Sequence, residues 1–111
     1  MKLFNLIYDN IIDNIRTVKI KIDDFDVNFT YNYKLNNLYV AINNDNFIAP
    51  NITYENNDFT LVFNYLFIPP NQRKEFENTY KKCVEFCENS KELVDDIINR
   101  IKNNQEVKEY E

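Results

Sequence analysis

Few side chains in this sequence have the type and spacing that chemistry needs. Cys83 and Cys87 stand four residues apart, a spacing that sets two thiols on one face of a helix, as a metal pair or a redox couple requires. Both also fall on the apolar seam defined by Tyr80 and Val84. Free cysteine is among the most buried residue types, so packing is the stronger reading. Asp23, Asp24, Asp26, Asp45 and Asp58 form the second candidate set, and together with Glu55 they are the residues expected to bind a partner. Such carboxylates could hold a divalent cation or act as acid and base, but no EF-hand spacing is present, and scattered acidic turn residues are ordinarily solvated loop ends. Ser90, the only serine, sits on the same seam as the cysteines.

The chain has no His and no Gly. Without His it lacks the side chain whose ordinary pKa suits proton transfer near neutrality, the partner of serine and cysteine nucleophiles, and the commonest zinc ligand. Two thiolates alone cannot complete a structural zinc site. Without Gly there is no phosphate-cradling loop, dinucleotide fingerprint or nucleophile elbow. We therefore expect no catalytic residue, no metal and no cofactor.

The elements that would position these residues follow from periodicity. Leu3, Phe4, Ile7, Tyr8, Ile11, Ile12 and Ile15 recur at three- and four-residue steps, which predicts an amphipathic helix over 2–16. The period then becomes two. Val18, Ile20 and Ile22 alternate with Thr17, Lys19 and Lys21. Phe25, Val27, Phe29, Tyr31, Tyr33 and Leu35 alternate with polar residues, and Leu38, Val40 and Ile42 follow. In the absence of Gly, the Asn-rich stretches 36–37, 43–46 and 56–58 read as turns, because Asn and Asp are the next most tolerant of positive φ. Residues 47–55 are ambiguous, with a short edge strand around 52–54 limited by Pro50, and Phe59 to Ile68 reads as a strand with apolar residues on both faces.

Pro69-Pro70 ends that strand. Phe76, Tyr80, Cys83, Cys87, Ser90, Val94, Ile97 and Ile101 then follow alternating four- and three-residue steps. This pattern fits one long helix or two joined near Asn89-Ser90, and the capping character of Ser90 favours two. The expected fold class is α+β: an N-terminal helix, an antiparallel meander of three to four strands, and one long or two shorter C-terminal helices packed on one sheet face. Residues 1–103 make a single domain, and 104–111 a flexible polar tail.

At 111 residues the chain suits a single core, and its net charge is −5. The acidity is uneven, since between residues 23 and 71 Lys34 is the only cation against the six candidate carboxylates. Tyr31, Tyr33, Tyr39 and Tyr65 resemble a base-stacking platform in outline, yet lack the neighbouring cations that hold phosphates. A negative field disfavours direct nucleic-acid binding and favours a protein partner with a basic surface. Asp9, Asn10, Asp13 and Asn14 interrupt the apolar start before it reaches signal-peptide or membrane-span character, so a cytoplasmic chain without membrane contact is expected. Its Asn, Ile, Lys and Tyr content is what AT-rich codons encode.

An amphipathic helix leading into Thr17-Val18-Lys19-Ile20, an acidic Asn-rich meander and C-terminal helices together resemble the architecture of small acidic phage anti-CRISPR proteins that mimic DNA. The likeness lies in element order and acidity. It implies a viral, non-enzymatic inhibitor acting in the host cytoplasm by occupying the basic groove of a nucleic-acid-binding protein. The second expectation is an assembly module, such as an immunity protein, antitoxin or homodimer, joined through the Phe76 to Ile101 seam.

Overall fold

Alternation between residues 17 and 42 produces the strands it predicts. A computed structural model describes residues 4–44, 50–63 and 69–109. The strands are β1 (Asn5–Ile12), β2 (Ile15–Ile22), β3 (Phe25–Asn32), β4 (Asn37–Asn43), β5 (Pro50–Glu55) and β6 (Asp58–Phe63), followed by a short 3-10 turn and one helix, α1 (Arg73–Lys102). They form one antiparallel sheet in the order β1-β2-β3-β4-β5-β6, so among the described residues each strand pairs only with its neighbours in sequence.

The predicted N-terminal helix is therefore wrong, and the sheet has six strands rather than three to four. The pairing explains the first error. Leu6 opposes Ile20 and Tyr8 opposes Lys19, leaving Ile7 as an extra, bulged residue. The bulge slips the two-residue phase by one, and apolar residues occupy both faces of the strand, so their combined spacing imitates a helical stripe. β5 is also not an edge strand, because it pairs with both β4 and β6. Residues 45–49 and 64–68, with Asp45 and Tyr65 among them, lie outside the described residues.

Every described residue at positive φ is Asn or Asp: Asp13, Asp23, Asn36, Asn56, Asn57 and Asn104. These residues accept left-handed geometry at lower cost than other non-glycine types, and they turn a chain that has no Gly. Asn32 adds an Asx-type turn by accepting from the N–H groups of Lys34 and Leu35 at 3.0 and 3.1 Å.

One face of the sheet carries Val18, Ile20, Ile22, Phe25, Val27, Phe29, Tyr31, Val40, Ile42, Ile52 and Tyr54, all buried. α1 lies over it with Cys83, Phe86, Ser90, Val94, Ile97, Ile98 and Ile101 inward. Each large side chain buried here contributes about 1.5–3 kcal/mol. α1 is continuous through Asn89-Ser90: the buried seam holds both halves against one surface, and Ser90 packs inside rather than capping. Phe86 lies 4.3 Å from Phe25 of β3 and 5.7 Å from Phe59 of β6 between ring centroids, so the sheet curls around the helix.

The helix ends in a Schellman-type cap with Asn104 in the position usually held by Gly. Asn104 N–H donates to Ile101 O at 3.1 Å, and Gln105 N–H to Arg100 O at 2.7 Å. This reversal carries the following segment back to the core, where Val107 is buried.

Candidate interaction surface

Two polar groupings and one apolar grouping lie between α1 and the sheet. The most enclosed centres on Arg16, which is 4% exposed on the helix-facing side of β2. Its Nε and Nη2 donate to the two oxygens of Asp9 at 2.9 and 2.7 Å, and its Nη1 donates to Tyr33 Oη at 3.3 Å. Tyr33 Oη in turn donates to Ile101 O, in the last turn of α1. The hydrogen bonds from Arg16 to Asp9 raise the guanidinium pKa above its ordinary value despite burial. Its charge sits near the helix C-terminus, where the macrodipole favours a cation. Sequence reasoning missed this group; its one signal is an Arg in phase with Val18 and Ile20, which marks an inward charge but not its partners.

The second grouping clamps the β5–β6 hairpin. Tyr54 Oη donates to Asp95 Oδ1, while Lys91 Nζ donates to Asp95 Oδ2 at 2.8 Å and to Asn57 O. Burial works against the Asp95 charge, but the hydrogen bonds from Lys91 and Tyr54 and the Lys91 charge outweigh it and hold the carboxyl below its usual value. Burial, with help from the Asp95 hydrogen bond, pushes the Tyr54 phenol above its ordinary value.

The cysteines make the third, apolar grouping. Cys83 is 1% exposed, and burial pushes its thiol up to about 11. Burial also raises the Cys87 thiol. Both are thus thiols rather than thiolates at neutral pH, the opposite of what metal binding or nucleophilic redox chemistry requires. Among the described residues no group of three or more His, Cys, Asp or Glu side chains could hold a metal ion.

The structure divides the acidic candidates. Asp23 and Asp24 form the β2–β3 turn, with both residues exposed. Asp26 points to the open face of the sheet, where Lys21 lies 3.9 Å away. Glu55 and Asp58 oppose each other across the β5–β6 turn. Helical spacing puts Lys82, Glu85, Asn89, Glu92 and Asp96 on one flank of α1, and Cys87, Lys91 and Asp95 on the other. Asp23 and Asp24 border the first flank and Asn57 the second, so the helix separates Asp23 and Asp24 from Glu55 and Asp58.

Along the first flank run two adjoining shallow clefts. Asp23, Asp24, Lys82 and Glu85 line one; Asp23, Glu92, Leu93 and Asp96 line the other; Asn89 and Ser90 are common to both. Turn and helix thus build one acidic rim, with Lys82 inside it and Arg100 joined to Asp96 at 3.0 Å. Glu85, Glu92 and Asp96 were not among the expected residues, because their i, i+7 and i+11 relation to the turn emerges only once α1 is known to be continuous. No family model matches the chain, and comparisons with curated proteins and with solved structures find no match either.

Proposed function

We propose that this chain is a non-enzymatic binding protein that docks its acidic rim on a basic, nucleic-acid-binding surface of a protein partner. The observation that carries the reading is the convergence of Asp23 and Asp24 with Glu85, Glu92 and Asp96 around shared clefts. Carboxylates fixed on a rigid turn and helix can present charge at a spacing that a phosphate-binding groove accepts, with little ordering cost on binding. The open sheet face is a poorer candidate, since Lys19 and Lys21 accompany Asp26 there. The architecture behind the anti-CRISPR likeness included an N-terminal helix that is a strand in this fold, so the reading rests on the rim.

The test is capture of a partner from lysate followed by titration with the purified pair. Asp24→Lys with Glu92→Lys, both at exposed positions, should weaken the complex at least about tenfold, and raising salt should weaken the wild-type complex as the Debye length shrinks from about 10 to 3 Å. Binding that ignores both salt and the double reversal would eliminate this surface.

A further inference from the structure

β1 forms one margin of the sheet, and its side away from β2 meets no further strand among the described residues. The two-residue turn Asp13-Asn14 closes on the Ile12–Ile15 pair, whose backbone groups point at each other. That orientation alternates along an antiparallel ladder, so the N–H and C=O groups of Asp9 and Ile11 point away from β2. Leu6 follows the same phase beyond the bulge, since its N–H donates outward to Glu109 Oε1 in the segment after α1. That segment covers the first half of the margin. Beside Asp9–Ile11 it leaves a shallow groove whose far wall is Asn104, Gln105 and Glu106.

Along the uncovered half, Tyr8, Ile11 and Ile12 are 39%, 51% and 70% exposed, and the exposed Ile7 and Ile15 adjoin them. Natural sheets blunt such margins with Lys, Pro or an inward-pointing charge; Asn5–Ile12 has neither Lys nor Pro, and its inward charge, Asp9, is neutralised by Arg16. The bulge at Ile7 lies ahead of the uncovered half rather than within it.

We propose that this margin pairs with β1 of a second copy of the chain, antiparallel about a two-fold axis through Asn10, so that two sheets become one. The strand's own residues select that partner and register. Asp9 and Ile11 of one copy then oppose Ile11 and Asp9 of the other, and each of these pairs exchanges both backbone hydrogen bonds. Tyr8 packs on Ile12 of the second copy and Ile12 on its Tyr8, aromatic against β-branched side chains, while the two Asn10 amides meet on the axis. Each Asp9 carboxylate, already held by its own Arg16, faces Ile11. Moving the axis to Asp9 would oppose two carboxylates, and moving it to Ile11 would pair Asp9 with the Asp13 turn. The interface is isologous and lies apart from the acidic rim, so it stands or falls separately from the function proposed above.

Sedimentation velocity across micromolar concentrations, combined with cysteine trapping, tests this. Asn10 faces itself across the axis as a non-hydrogen-bonded pair, with Cα atoms about 4.5 Å apart and so within disulfide reach. Oxidised Asn10→Cys should therefore run as a covalent dimer, whereas Asn28→Cys on β3 should not. Asn10→Lys places like charges on the axis and should weaken the dimer at least tenfold while leaving circular dichroism unchanged and removing any dependence of Tm on protein concentration. Ile11→Pro removes an N–H that the β1–β2 ladder does not use and should also give a folded monomer. A wild-type chain that sediments as a monomer throughout overturns the proposal, even if this margin then binds a strand of another protein. So does a dimer that Asn10→Cys fails to trap, or one that Asn10→Lys leaves at wild-type affinity.

Discussion

Arg16 and Asp9 hold opposite charges where water scarcely reaches one of them, with side chains 5% and 20% exposed. Removing one member of such a pair leaves the other uncompensated, so Asp9→Asn should cost about 3 kcal/mol in urea unfolding. Asp96→Asn, which breaks the exposed pair with Arg100, should cost under about 1 kcal/mol. Equal losses would show that Arg16 is better solvated than its burial indicates. Two pH effects belong at this scale as well. Cys83 rises from 9.0 to about 11 on folding, so its contribution is complete below 9 and is lost as pH climbs through 11. Tm should fall along that limb, and Cys83→Ala should flatten it; an unchanged slope would reject the assignment. Asp95 is lowered on folding, so its contribution is present at neutral pH and disappears as pH falls through the carboxylate range. Asp95→Asn should make stability less sensitive to acid. Single residues were legible where local physics decides, as with Asn36, Asn56 and Asn57 at positive φ. Arg16 was not, because its role depends on Tyr33 and Ile101 arriving from far along the chain.

Among the elements, β2, β3 and β4 were readable because one face of each is buried and the other wet, which writes period two directly into the sequence. β1 was misread because a bulge broke that period and because the apolar residues of a margin strand need not keep to one face. Its composition carried a correcting signal: Ile7, Ile11 and Ile12 are β-branched, and Asn5, Asn10 and Asp9 are weak helix formers. Asn89-Ser90 looked like a break because caps are local, whereas the continuous seam that overrides them is set by the sheet beneath. Within that seam Ile97→Ala should cost about 2–5 kcal/mol, while Tyr80→Ala, at a site 46% exposed, should cost far less by the same denaturant measurement. Asn104→Val places a β-branched residue in left-handed geometry at the Schellman cap and should cost at least about 1 kcal/mol. Near-equal Tm values for that variant and the wild type would mean that the cap does not hold Val107 in place.

For the molecule as a whole, the sequence located the acidity between residues 23 and 71 but not its grouping. Asp23 and Asp24 join carboxylates of α1, while Glu55 and Asp58 fall on the other side of the helix. That grouping depends on how the sheet curls, which no local pattern encodes. It predicts unequal effects on partner binding: Asp24→Lys should weaken capture, and Asp26→Lys, on the open face near Lys21, should leave it nearly unchanged. Equal effects in a binding titration would place the contact elsewhere. The strictly sequential strand order also bears on how the protein is made. Each hairpin can close as soon as its second strand leaves the ribosome, at roughly 5–20 residues per second. The cover over Leu6, however, comes from Glu109, beyond the helix. β1 is thus synthesised before the other five described strands while its Leu6 end is covered last, and until α1 and the segment after it emerge its margin lies open to the nascent chains of neighbouring ribosomes.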